Sequence, residues 1–215
     1  MIKVCVDPGS THMQNLNYAK ELIDLATEAN CWAIKFQLFQ DLPPNIELPR
    51  EWWGDLVEYA KGKIILFASA FDMGAIELLK TYSSPYVKFS FSHRKWWRGI
   101  EKARKFSKVI VSCSPYDSHF YPKDIIRLFC VPKYPVTHMI DHKKIYKRYP
   151  FDGFSDHTLS YHQTFIAIAQ GAKIIEKHIT LDHPDIKCPD HYFALRPKEL
   201  HKMMEVINAM SKDKA

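Results

Sequence analysis

His157, in the run FSDHT, and His178, in the run EKHIT, are the residues of this chain best suited to chemistry. A neutral imidazole offers a nitrogen to a divalent cation, or moves a proton near neutral pH. Between them the chain reads strand, loop, helix, strand. FDGFS comes first, then the helix-spaced Leu159, Phe165, Ile166 and Ala169 closed by Gly171, then AKIIEKHIT. A βαβ unit makes its two strands parallel neighbours through a right-handed crossover. Both histidines therefore leave the same end of the sheet, within reach of one ion, with Ser155 and Asp156 beside the first. Alternation along the second strand puts Glu176, His178 and Thr180 on one face and Ile175, Lys177 and Ile179 on the other. Spacing alone leaves hydrogen-bonded core histidines as an equal alternative.

Eight apolar runs supply the strands that must position these groups: 2–6, 32–36, 64–68, 86–90, 108–112, 125–131, 151–155 and 173–180. Helical patterns lie between most of them, at Asn15–Asn30, Glu51–Lys61, Asp72–Leu79 (with Asp72 as cap) and Trp96–Phe106; Leu195–Met210 follows the last strand. Between 113 and 150, four prolines limit helix length. Eight alternations in about 200 residues fit the lower size of a closed (β/α)8 TIM barrel. A doubly wound open sheet would want a glycine-rich phosphate turn, and the chain has seven glycines and no GxGxxG. The barrel is therefore expected, as a single domain over 1–215.

In such a barrel the chemistry sits at the carboxyl ends of the strands. Those ends carry Asp7, Lys35 with Gln37, Ser69, Lys88 with Ser90, Ser112, Lys133 with Tyr134, Ser155 to His157, and His178. Two lysines and several hydroxyls at one mouth suit a phosphate or carboxylate. Burying Lys35 and Lys88 in apolar strands demands an anionic partner, and Glu176 is placed to be one.

Composition narrows the class. Hydrophobic residues make up 47% and charged residues 25% of 215, and no apolar run approaches a membrane span. Net charge is +6 with a pI of about 8.9, consistent with an anionic small molecule or weak attraction to nucleic acid. The interleaved HRKWWR run is too short to favour the latter. Five cysteines without a CxxC read as reduced thiols of a cytoplasmic protein, and MIKVCVDPGS reads as a first strand rather than a secretory signal. Trp52-Trp53 and Trp96-Trp97 read as helix-to-barrel packing, His119, His138, His142, His162, His183 and His201 as surface residues, and the terminal SKDKA as frayed.

GFSDHT with EKHITLD, followed by PDHYFALRP, resembles the N-acetylneuraminate (sialic acid) synthases. IKFQLF, FASAFD, VKFSFS, VIVSCSP and the KYP of Lys133–Pro135 extend the likeness along the chain. That family consists of barrel enzymes that condense phosphoenolpyruvate with an N-acylmannosamine-type sugar, releasing phosphate. The resemblance implies that His157 and His178 bind a divalent metal, manganese in the first place and magnesium or cobalt otherwise. It also implies that Lys35, Lys88, Ser112 and Ser155 hold phosphoenolpyruvate, and that Tyr134 and Asp190 lie near the sugar. His12 is retained, but Met13 stands where the family has a catalytic glutamate, which leaves Asp7 or Glu176 to replace it. The serine of the family's YKIxS segment is displaced, with Ser90 and Ser92 flanking Phe91, and Pro132 replaces an asparagine near the phosphate. The family's antifreeze-like C-terminal domain is expected to be absent, so that the pocket is more open unless a homodimer partner or a separate capping chain covers it. The competing expectations are a metal-dependent aldolase or hydrolase of another substrate, and a noncatalytic barrel.

Overall fold

The computed structural model describes residues 1–40 and 42–212; the last three residues of the polar tail lie outside them. Strands β1 (Lys3–Asp7), β2 (Ala33–Leu38), β3 (Ile65–Ala70), β4 (Tyr86–Phe89), β5 (Lys108–Cys113), β6 (Ile126–Cys130), β7 (Gly153–Asp156) and β8 (Ile174–His178) pair in chain order, and β8 closes on β1. All the pairings are parallel. Around them run α1 (Leu16–Glu28), α2 (Trp53–Ala60), α3 (Met73–Thr81), α4 (Trp97–Arg104), α5 (His142–Arg148), α6 (His162–Ala169) and α7 (Pro197–Lys212). This is a (β/α)8 barrel. One crossover departs from strict alternation: β5 and β6 are joined through a single 3-10 turn, Ser118–Phe120. Pro115 and Pro122 flank that turn, each removing an N–H and fixing φ.

Local sequence explains the helix ends. Asn15 and Asp72 accept from the N–H groups of Asn17 and Ala75, satisfying donors that the first turn cannot. Gly171, at φ +113°, follows the end of α6 in a backbone conformation that side chains rarely adopt.

Apolar residues form two separate layers. The larger packs helices on the outside of the barrel and includes the fully buried Trp53, Leu22, Leu56, Ile76 and Met203. Trp52 and Trp96 are partly buried against this layer, and Trp97 is exposed, in keeping with packing roles. The smaller layer fills the floor of the barrel with Cys5, Ala33, Phe67, Tyr86, Ile110, Leu128 and Ile174. Six of these seven floor side chains lie two residues below a polar one on their own strand, because side chains alternate at period two. Cys5 lies below Asp7, Ala33 below Lys35, Phe67 below Ser69, Tyr86 below Lys88, Ile110 below Ser112 and Ile174 below Glu176. Gly153 on β7 is squeezed between its neighbours: a Cβ there would run into the Ile174 carbonyl and come within 2.8 Å of Leu128. Glycine thus lets β7 and β8, the strands of the two histidines, approach closely. Among the described residues no helix is long and apolar enough to cross a membrane.

Candidate active site

Above the apolar floor lies a cavity of about 300 Å³ at the carboxyl ends of the strands. Its base is a buried ionic layer. Lys35 Nζ donates to Asp7 Oδ2 at 2.6 Å and to Ser69 Oγ at 3.1 Å, and stands 3.7 Å from Glu176 Oε2. Lys88 Nζ, from β4, crosses the barrel to Glu176 Oε1 of β8 at 3.0 Å. Ser155 Oγ donates to the same oxygen at 2.8 Å, and Gln37 Nε2 donates to Asp7 Oδ2 at 2.9 Å. Both lysines are 2% exposed, so their charges are matched inside the protein rather than by solvent. Burial pushes the Glu176 carboxyl up, but Lys35, Lys88 and the bonds from Lys88 and Ser155 outweigh it and hold the group well below the carboxylate range. Asp7 follows the same pattern, burial being overcome by Lys35 and His178. Burial depresses the Lys35 ammonium, but Asp7 and Glu176 outweigh it and raise its pKa. Both carboxylates are therefore ionised at neutral pH.

The two histidines face each other over this layer, ring centroids 5.8 Å apart and planes at 61°. His157 Nδ1 lies 3.1 Å from the Val131 carbonyl; donating there requires a proton on Nδ1 and leaves Nε2 as an acceptor. Burial, reinforced by His178, pushes the His157 pKa down to about 3. His178 Nε2 stands 3.5 Å from Asp7 and Nδ1 3.7 Å from Asp190, and the buried Nδ1 has no hydrogen-bond partner among the described residues. Tyr134 lies against His157 at 4.1 Å, its plane tilted by 30°, and Phe193 packs edge-on to His178 at 4.9 Å, an aromatic wall at the rim. Asp190 is anchored by the Ser10 N–H at 2.7 Å, lying against Gly9 where a side chain would collide with it.

Of the residues singled out from sequence, Asp7, Lys35, Gln37, Ser69, Lys88, Ser90, Ser112, Tyr134, Ser155, His157, Glu176, His178 and Asp190 all line this cavity. Two do not. Asp156 belongs to the opposite face of β7, as alternation requires. It is fully buried behind the barrel wall, accepting from the Thr158 N–H and the hydroxyls of Thr158 and Thr164, with Lys177 Nζ at 3.4 Å. His12 is buried in the β1–α1 turn outside the cavity, its Nδ1 accepting from the Gln14 N–H; burial pushes its pKa down to about 4. Met13, at φ 50°, packs against the outer core and likewise does not line the cavity. His142 is a further correction: it is buried, with Nε2 2.9 Å from Gln163 Oε1.

Asn45, Phe71, Phe91, Ser92, Cys130 and Phe193 also line the cavity. Cys130 was legible, being the inward residue two beyond Leu128. The others come from loops, where no periodicity points. Ser112 Oγ is buried and without a partner among the described residues. No group of three or more His, Cys, Asp or Glu among the described residues is arranged to hold a metal ion.

A TIM barrel whose mouth pairs buried lysines with carboxylates beneath two imidazoles has the donors and charges that suit a small anionic ligand. Comparison with known proteins narrows this. Residues 118–214 match the model of the NeuB family. The spore coat polysaccharide biosynthesis protein SpsE of Bacillus subtilis is 29% identical over 95% of this chain and 66% of its own length. The N,N'-diacetyllegionaminic acid synthase of Campylobacter jejuni is 25% identical over 97% of this chain and 76% of its own. The crystal structure of the N-acetylneuraminic acid synthetase from Leptospira borgpetersenii, in complex with citrate, superposes with a TM-score of 0.88 at 26% identity, covering all of this chain and 85% of that one. The chain is thus similar to the NeuB family over its C-terminal part, and it spans about two thirds of the SpsE length.

Proposed function

We propose that this mouth binds phosphoenolpyruvate and joins it to the open-chain aldehyde of an N-acylmannosamine-type sugar or related aldose, giving a sialic-acid-like 2-keto acid and phosphate. The observation that carries this reading is the ionic layer. Two buried ammonium groups stand in one barrel section beside the unpartnered hydroxyl of Ser112, under a pair of imidazoles. An ammonium has three N–H donors, and Lys88 spends one on Glu176, leaving others for a phosphate or carboxylate oxygen.

The charges also bear on the cofactor. Lys35 and Lys88 are balanced by Asp7 and Glu176, and Asp190 adds a negative group at the rim. An anionic substrate needs further positive charge in so buried a site. The histidines suit that need, with an acceptor on His157 Nε2, 3.3 Å from Ser155 Oγ, and a nitrogen on His178 without a partner among the described residues. His157 and His178 would hold a divalent cation, manganese first and magnesium or cobalt otherwise, which when bound supplies Lewis-acid polarisation of the aldehyde oxygen. Two protein ligands leave room for water and substrate oxygens.

The remaining steps fall to the protein's own groups. Lys35, Lys88, Ser112 and Ser155 hold the phosphate and carboxylate of phosphoenolpyruvate, while Tyr134, Phe193 and Asp190 bound the acceptor. The enol carbon attacks the aldehyde carbon, water adds at the central carbon, and that carbon's bond to the phosphate oxygen breaks to leave a ketone. Asp7 or Glu176, ionised and pointing into the cavity, takes the proton from the attacking water. Met13 in place of the family's glutamate favours the second reading, a different lyase or hydrolase reaction on another anion in the same mouth.

Phosphate release from phosphoenolpyruvate, measured with manganese and a panel of N-acylhexosamines, tests the proposal. Release dependent on both metal and acceptor is expected. Metal-loaded protein that releases none with any acceptor contradicts it.

A further inference from the structure

The turn after β4 holds an arrangement that the reaction above does not use. Phe91–His93 forms one 3-10 turn, closed by the His93 N–H on the Ser90 carbonyl at 3.0 Å. So tight a turn brings three side chains together. Ser90 Oγ and Ser92 Oγ are 2.9 Å apart, and His93 Nδ1 lies 3.2 Å from the first and 3.0 Å from the second. Both hydroxyls line the cavity, and the imidazole stands behind them. The ring is fixed edge-on between Phe71 at 5.0 Å and Trp96 at 6.0 Å, so Nδ1 has little freedom to turn away.

Position in the barrel says what such a group meets. β4 stands opposite β8, and its Lys88 spans the cavity to Glu176. The ends of β3, β4 and β5 therefore present Ser69, Ser90, Ser92 and Ser112 with Lys88 on one side of the mouth, while Asp7, His178 and Asp190 hold the other. Hydroxyls and an ammonium are donors suited to an oxyanion. The buried, unpartnered Ser112 hydroxyl in the same arc is a donor still lacking its acceptor.

A hydroxyl serves an oxyanion only if its hydrogen points at it. With a bare Nδ1, one serine hydrogen is drawn inward to the ring. With a proton on Nδ1, the ring donates to the serine oxygens; one O–H then serves the bond between the two serines and the other is freed for the mouth. We infer that His93 is a positioning residue, in the Nδ1–H form, that leaves one hydroxyl of the Ser90–Ser92 pair free to donate to the phosphoryl group of the substrate. The inference rests on the reading of this mouth as a phosphoenolpyruvate site, and it gives the β4 turn the phosphate end.

Two variants separate orientation from packing. His93→Phe keeps a ring between Phe71 and Trp96 and removes the nitrogen; His93→Asn places an amide N–H near the position of Nδ1. Phosphoenolpyruvate and inorganic phosphate are each titrated calorimetrically into manganese-loaded protein without acceptor, and the acceptor KM is measured where turnover occurs. His93→Phe is expected to weaken both anions about tenfold, the size of one charge-assisted hydrogen bond, with the acceptor KM unchanged and His93→Asn restoring most of the loss. Wild-type affinity for both anions in His93→Phe overturns the inference and leaves the phosphoenolpyruvate reading standing. Phosphate binding that falls in His93→Phe, in a protein that ignores phosphoenolpyruvate, supports the inference and removes that reading. Wild-type protein that binds neither anion overturns both.

Discussion

Replacing Lys88 by methionine is expected to lower stability by about 3–5 kcal/mol, the usual cost of stranding one member of a buried ion pair, and to weaken phosphoenolpyruvate binding about 100-fold, as expected for losing a charged donor in a dry site. The loss follows from the charge count. Without Lys88, the carboxylates of Asp7 and Glu176 must share Lys35, which already lies 2.6 Å from the first and 3.7 Å from the second. The double variant Lys88→Met with Glu176→Gln removes one charge of each sign and keeps an amide for Ser155. Urea denaturation should show most of the stability restored, whereas a phosphoenolpyruvate titration should show no recovery of affinity. Equal stability in the single and double variants would mean that the pair does not carry the charge balance of the layer.

The second large effect is on stability against acid in the presence of chelator. His12 and His157 are buried, 1% and 4% exposed, with pKa values pushed by burial to about 4 and about 3 from an ordinary 6.5. Both values lie below that of the unfolded chain, so the unfolded state binds more protons and stability falls as pH falls. The contribution is fully present above pH 6.5 and drains away toward the folded-state values. Between pH 7 and pH 5 each histidine loses about 2 kcal/mol, together about 4 kcal/mol, at roughly 1.4 kcal/mol per pH unit. Denaturant midpoints at the two pH values measure this, and His12→Gln should remove about half of it. A stability that does not change over that interval would show that neither ring is held neutral.

Much of the architecture was legible because barrel strands are short apolar runs with a period of two. The same period set Lys35 with Gln37, Lys88 with Ser90 and Glu176 with His178, all of which line the cavity, as does Ser112, read from its place at a strand end. It also argued against Asp156, which immediately follows the inward Ser155 and must face the other way. Its place in the motif SDHT outweighed that geometry. His142 was lost for a related reason: it opens α5 amid lysines, and only the packing of α5 on Phe129 and Phe154 buries it. The rim was harder still. Phe193, Asn45 and Ser92 reach the cavity through turns, whose course depends on contacts distant in sequence, such as Asp190 on the Ser10 N–H. The β5–β6 crossover failed to form a full helix where prolines interrupt the chain, a limit the sequence announces without saying what takes the helix's place.

The most direct measurement is a manganese-edge anomalous difference map from crystals soaked with manganese and phosphoenolpyruvate. A single peak between His157 and His178 is expected, with the phosphate and carboxylate of the ligand on Lys35, Lys88 and Ser112. A peak elsewhere, or a mouth that stays free of the ligand while the ionic layer is intact, would contradict the assignment of this barrel.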